Sequence, residues 1–389
     1  AGEFARHAVL QLPADGFAKV EPLLQSLAKA PVTQRVALAE GLATVAAKPD
    51  RKLPPNVDRW MRTELIGALN GRDPAILLRA VNALKPLTLP EKAAPLGKVA
   101  LDAAGRENVR VAAVRALAPD DAPSEKIRIE VLAKPGPDAL RRAAADLLGT
   151  ATPTPEARAA LVTAFPSASG NLALSLAIAL ARSDAGAADL IEAAAKGRVR
   201  PTLLRHRHVA LALEKRPAEL RERAAALTAK FPPEDVRLDA LIAQRMAVAL
   251  TIKTDPARGA ALFATHCATC HRFREQGGNL GPSLDGSASR SVARMVEDIL
   301  DPSRNIDPAF RLSNLTLKNG ETKSGLNLRE QGDRVLLAEP ATGQDIAIPR
   351  AKVVEITASP VSAMPPSFEA LLSEQDLFDL IEYLRASPK

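Results

Sequence analysis

Aromatic side chains are scarce in this 389-residue chain: one Trp, one Tyr and nine Phe, 3% in all. Large β-sandwiches and propellers draw on aromatic and β-branched residues, so this poverty disfavours them. Cysteine is scarcer still, with two residues, which excludes a disulfide framework. No run of eighteen apolar residues occurs, so no segment is expected to span a bilayer. Nor is there a leader with a basic head and an apolar middle, and the first residue is Ala1 rather than Met. The expectation is therefore a mature protein, or an excised fragment, from which any export signal has been removed. Enzyme signatures are lacking as well: there is no G-x-S-x-G, no phosphate-binding P-loop, no G-x-G-x-x-G and no H-E-x-x-H.

What is present is Ala and Leu. Apolar residues make up 47% of the chain, enough for two or three domains. To about residue 250 the sequence reads as helix after helix, punctuated by Pro, Gly and Asp. Small apolar stretches ending at Leu84, Leu117, Leu148, Leu180 and Leu213 recur at steps of 33, 31, 32 and 33 residues. A period of that size predicts stacked helical hairpins, each burying its apolar face only against its neighbours. This pattern resembles a HEAT-type or armadillo-type array, with a shorter period than usual.

Beyond residue 250 the character changes. Residues 251–389 hold 16 basic and 18 acidic side chains, which leaves 36 and 27 for residues 1–250. A basic helical array invites a nucleic-acid reading, but Arg115, Arg141, Arg142, Arg205 and Arg207 are scattered and stacking aromatics are few, so a solvated face is the expectation. The domain reading is thus 1–250 for the helical array and 251–389 for a second domain.

Both cysteines fall in C-A-T-C-H at 267–271. C-x-x-C-H is the attachment sequence of a c-type haem: two thiols bond the two vinyl groups of one porphyrin and the adjoining His reaches the iron. A zinc site would need two further ligands, and no other Cys exists. A thioredoxin-like dithiol follows a strand, whereas residues 257–266 read as helix. A chance match is the third alternative, so the flanks decide.

Those flanks resemble the class I cytochrome c family, and more closely the variant haem domain that ends large secreted proteins of planctomycetes and verrucomicrobia. The resemblance covers about residues 255–389. Gly259 to Phe263 is similar to the family's first haem-domain helix, and residues 373–385 to its last, with Tyr383 near their crossing. N-L-G-P-S-L-D-G at 279–286 is similar to the segment beneath the haem His, and the resemblance implies that the Pro282 carbonyl accepts the Nδ1 proton of His271. It also implies an axial Met. Met61 and Met246 lie in apparent repeats and read as core filler, and Met295 belongs to an apolar helix face with Val292, Val296 and Ile299. Met364, in the Pro-held loop S-A-M-P-P at 362–366, occupies the family's position for this ligand and is the favoured one.

Met364 stands 93 positions beyond His271, and much of the interval does not read as helix. Alternating segments at 311–317, 321–328, 334–339 and 345–350, with a K-N-G-E turn at 318–321, predict a small antiparallel insertion at about 311–356, as in the variant domain. It would shield a haem edge or dock a redox partner. Of the remaining histidines, His7, His206 and His208 read as ordinary surface or partly buried residues, and His266, adjoining Cys267, is expected on the proximal side if it is near the ring at all. His206 and His208, two apart, cannot share a helical face.

The fold expected is therefore mainly α: a HEAT-like α-solenoid followed by an all-α cytochrome c domain with a small β insertion. The site residues are Cys267, Cys270, His271, Pro282 and Met364, with His271 and Met364 on the metal, for one covalently held haem c. The expected role is outer-sphere electron transfer, not catalysis, in a periplasmic or otherwise exported protein. Such domains often follow a dehydrogenase-like domain, so the expected partner is a redox protein or a fused dehydrogenase, with no nucleic acid and no membrane span. A peroxidase-like haem enzyme with a displaceable distal ligand, and a solenoid interaction module with a structural haem, stand as alternatives. An excised 251–389 fragment is expected to keep the parent spectrum.

Overall fold

A computed structural model describes residues 24, 27–47, 52–118, 121–149, 152–318, 322–340, 343–366 and 368–386. His7 and the turn residues Asn319 to Glu321 lie outside them. The described residues gather in two compact units, one from 1–200 with 216–221 and the other from 201–215 with 222–389.

The first unit holds α1 (Val32–Ala46), α2 (Pro55–Ala68), α3 (Pro74–Leu84), α4 (Ala93–Leu101), α5 (Glu107–Ala116), α6 (Ala122–Ala133), α7 (Asp138–Leu148), α8 (Pro155–Thr163), α9 (Gly170–Ala181) and α10 (Asp184–Ala195). Asp73, Asp121, Thr154, Ser169 and Ser183 start α3, α6, α8, α9 and α10 by accepting hydrogen bonds from first-turn amides. The helices stack in two rows: α1, α3, α5, α7 and α9 touch in succession, as do α4, α6, α8 and α10. The period written in the Leu spacing returns in the surface bonds between layers. Arg62 Nη1 meets Glu91 Oε1 at 3.3 Å, Thr154 Oγ1 meets Glu125 Oε1 at 2.8 Å and Arg158 Nε meets Asp189 Oδ2 at 2.7 Å, across 29, 29 and 31 residues. Equivalent positions one repeat apart are thus neighbours in space.

The second unit contains α11 (Arg207–Glu214), α13 (Glu234–Val248), α14 (Pro256–His266), α15 (Val292–Leu300), α16 (Phe368–Leu371) and α17 (Glu374–Arg385), with α12 (Ala218–Thr228) between α11 and α13 in sequence. Its main core joins Phe263, Phe273, Met295, Val296, Phe378 and Leu380. Leu241, Ile242 and Met246 of α13 pack against that core. Compaction therefore draws in helix α13 and the segment 201–215, well before the change of composition at 250. The α13 face is apolar on a helix that reads, in sequence, like one more repeat. Met246 does fill a core, but the core of this unit.

Helices α14 and α17 cross closely. A Cβ placed on Gly259 would lie 2.1 Å from the Asp379 carbonyl oxygen and 2.7 Å from Tyr383 Cβ, so only glycine permits the approach. Phe263, Phe273 and Tyr383 close the crossing, with ring centroids 5.2–6.0 Å apart. Asp379, fully buried, accepts from Asp255 N at 2.7 Å and Gln375 Nε2 at 2.8 Å. Ser373 and Asp376 form a reciprocal capping box at the start of α17.

The insertion is a five-stranded antiparallel sheet of order β6-β5-β4-β3-β7. Its strands are β3 (Ser313–Leu317), β4 (Thr322–Gln331), β5 (Arg334–Ala338), β6 (Asp345–Pro349) and β7 (Val353–Ala358), after a two-residue pair β1 (Arg272–Phe273) and β2 (Gln276–Gly277). The sequence suggested four of the five large-sheet strands. Edge strand β7 lacks clean alternation: Val353 and Ile356, three positions apart, both pack in the sheet's core across a register shift in the pairing with β3.

Candidate haem site

Asp255, with Pro256 in the first turn, opens α14 by accepting from Ala257 N at 2.9 Å. The helix ends at His266, and the chain continues in tight turns: Cys267 and Ala268 both donate to the Phe263 carbonyl at 2.9 Å, and His271 N donates to the Cys267 carbonyl at 2.9 Å. This winding places both thiols and the imidazole within one turn. Cys267 is buried and Cys270 half-buried, and both are free thiols. Burial, together with the neighbouring Cys270, pushes the Cys267 thiol up to about 12, and burial raises Cys270 too. Neither is the low-pKa nucleophile of a dithiol oxidoreductase. Among the described residues no three His, Cys, Asp or Glu side chains gather as a metal site.

The loop that follows returns beneath His271. Arg274 and Glu275 adopt left-handed φ of 49° and 63°, the hand that a two-residue hairpin between β1 and β2 favours. Gly277 at φ 101° sits where a Cβ would lie 2.1 Å from the His271 carbonyl. Backbone bonds of 2.8 Å from Gly278 to Ala268, Gly281 to Cys270 and Leu284 to Arg272 bind the returning strand to the haem-attachment turn. The result is that His271 Nδ1 lies 2.9 Å from the Pro282 carbonyl oxygen. Because a carbonyl only accepts, Nδ1 carries the proton and Nε2 is left with its lone pair. Burial lowers the His271 pKa, with the Pro282 bond opposing, which keeps the ring neutral near pH 7. Gly281 packs on the face of the ring: a Cβ there would be 2.7 Å from Cε1.

These residues fit a c-type haem. Two thiols three positions apart precede a neutral imidazole whose Nδ1 is engaged, whose Nε2 can serve as a donor, and whose orientation is fixed by Pro282 and Gly281.

The other predicted residues fall as follows. Met295 is 4% exposed on α15, within the core. Met364 is half-buried in the loop before α16, packed against the same core, its N donating to Ser362 Oγ at 3.1 Å. Met61 is buried in the first unit. His206 and His208 do meet, with ring centroids 5.7 Å apart. The helical-face argument fails for them because His206 is not helical: it caps α11 at φ −56°, ψ 129°.

Several features had no sequence signal. One face of the β insertion, through Leu326 and Ala338, forms a small cluster with Leu280, Cys270, Leu312 and Ala363, so the sheet lies against the attachment turn and the Met364 loop. Asp301, 2% exposed at the end of α15, receives both Arg207 and Arg304, the latter at 2.9 Å. Arg207 is 94 residues away in sequence, too far for any local pattern to reveal.

Residues 256–331 match the family model described as Cytochrome c. The match covers the C-x-x-C-H turn, Gly281 and Pro282, and it ends with β4, short of Met364. It supports a cytochrome c-family domain in the C-terminal part of the chain, and with it covalently bound haem c and haem-based electron transfer. No curated protein matches the chain.

Proposed function

We propose that the second unit is a monohaem c-type cytochrome that passes electrons without catalysing a reaction at iron. The observation that carries this reading is the bond from His271 Nδ1 to the Pro282 carbonyl, 2.9 Å, inside the turn that bears both thiols. When bound, the haem supplies a one-electron couple whose potential is set by the ligands and the dryness of the pocket. Cys267 and Cys270 would hold it covalently. His271 would offer Nε2 to the iron, with Pro282 fixing the tautomer and raising the basicity of the ring. Met364 would supply a thioether that favours reduced iron, while buried Met295 packs the core. An iron held by both residues would leave no coordination site for substrate.

The β insertion, whose Leu326 and Ala338 cluster with Cys270, would shield a haem edge there. The first unit is a HEAT-like solenoid, a reading supported by the two stacked rows and the 29–31-residue bonds between layers. The chain belongs to a periplasmic or otherwise exported protein in which the second unit accepts electrons from a dehydrogenase-like domain or partner. Export accords with the family of the haem domain, and among the described residues no helix is long and apolar enough to cross a membrane.

The test is Met364→Ala. The parent is expected to be low-spin, with the weak far-red thioether-to-iron band, and slow to take cyanide. The variant loses the band, binds cyanide quickly and has a lower potential. If Met295→Ala erased the band while Met364→Ala kept it, the ligand assignment would be overturned. Rapid cyanide binding and peroxide turnover by the parent would favour the enzyme reading.

A further inference from the structure

Ser362, two residues before Met364, is gripped from several sides. Its N donates to Ser303 Oγ at 3.1 Å, and its own Oγ accepts from Met364 N at 3.1 Å. Its backbone is also hydrogen-bonded to His208, an interaction that favours the protonated ring and so places the carbonyl as acceptor. Since His208 Nδ1 is buried without a partner in the protein, the donor is Nε2. Pro366, two residues beyond Met364, lines a cavity of about 10 Å³ together with His206, His208 and Ser303, room for about one water. The segment that brings His208 here is itself anchored, because Arg207 pairs with buried Asp301 at the end of α15.

The Ser362 flank of the Met364 loop is therefore held by residues outside it, and the Pro366 flank lies beside the same residues. Ser303 belongs to the stretch matched as Cytochrome c, but His208 lies 48 positions upstream of that stretch. A loop without regular structure holds a thioether at a fixed distance only if its backbone cannot swing. We infer that His208 is a positioning residue for the distal ligand: its Nε2–H, acting with Ser303 Oγ, clamps Ser362 so that Met364 stays on the iron. The inference rests on Met364 being that ligand. It assigns the segment 201–215 to the working redox unit, so a fragment cut at residue 251 lacks half of the clamp.

The experiment uses the full-length haem-loaded protein and four variants: His208→Phe, His208→Gln, Ser303→Ala and Met364→Ala. Readouts are the far-red band, the cyanide association rate and the reduction potential. His208→Phe keeps a planar ring but no donor, and is expected to weaken the band and speed cyanide binding at least tenfold. His208→Gln restores a donor near the Nε2 position and recovers most of both, and Ser303→Ala falls between. Leu317→Ala, in the separate core of the sheet, destabilises the unit without touching the clamp and leaves band and rate as in the parent. If His208→Phe stays within twofold of the parent while Met364→Ala loses the band, the clamp is refuted and the ligand assignment survives. If Met364→Ala also changes nothing, the ligand assignment fails and the clamp with it. If Leu317→Ala matches His208→Phe, the effect is general loosening and the inference is overturned.

Discussion

Gly259→Ala offers a test in which the sign of the effect is at stake. In an exposed helix, Ala in place of Gly stabilises by about 1 kcal/mol. At position 259 the new methyl would lie 2.1 Å from the Asp379 carbonyl oxygen and 2.7 Å from Tyr383 Cβ, where ordinary van der Waals contact begins at 3.4 Å. Helices α14 and α17 must part by about 1 Å, and three coupled rings and the bond from Asp255 N to Asp379 lie in that crossing. Overpacking of this kind costs about 1–3 kcal/mol, and more where backbone must move. The clash is with backbone, so the upper part of that range applies, and after the gain in helix propensity the net loss is about 2 kcal/mol. Gly286→Ala is the matched control in the same unit: φ is −84° and nothing lies within 4 Å of its Cβ position, so it should stabilise by about 0.5 kcal/mol. Urea unfolding followed in the haem absorbance reads this unit alone. A midpoint for Gly259→Ala at or above that of Gly286→Ala would refute the crossing as described.

Gly281→Ala should disturb the haem ligand rather than the fold, because the added methyl meets His271 Cε1 at 2.7 Å; a changed reduction potential with a melting temperature close to the parent's is expected, and an unchanged potential would contradict the packing. Stability should also fall with pH. Partial burial first, then the nearby His208, Arg237 and Arg207 charges, hold half-buried His206 down at about 4, with Glu234 opposing, and His208 is lowered as well. An unfolded imidazole takes up its proton near 6.5, so between about 6.5 and 4 the unfolded chain binds more protons and stability is lost as pH falls, by about 3 kcal/mol for His206. Urea midpoints for the parent and His206→Gln should converge as pH drops through that window; parallel profiles would contradict a neutral, half-buried His206.

What was legible in the sequence was local or periodic. C-x-x-C-H, Gly259 and the Pro282 segment are short patterns whose chemistry depends on spacing, and the Leu period of 31–33 residues is echoed by bonds between adjacent layers across 29–31 residues. What was not legible depended on distant pairing. Helix α13 has the composition of a repeat, and only its contacts with Met295 and its neighbours place it on the haem-domain core. His206 and His208 looked unable to cooperate because helical geometry was assumed for both, whereas a capping residue has extended backbone. Strand β7 escaped because a register shift in its pairing with β3 puts Val353 and Ile356, three positions apart, into one core and so breaks the period of two. The bond from His208 to Ser362 spans 154 residues, and no periodicity reports such a contact.

The account rests above all on Cys267, Cys270 and His271 holding one haem. The most direct measurement is the intact mass of the denatured full-length protein, produced by export in a host competent for c-type maturation, together with acid-organic extraction. One haem added to the polypeptide mass, with none in the extract, is the predicted result, and replacing both cysteines with alanine should abolish it. The bare polypeptide mass with free haem in the extract would contradict the central claim.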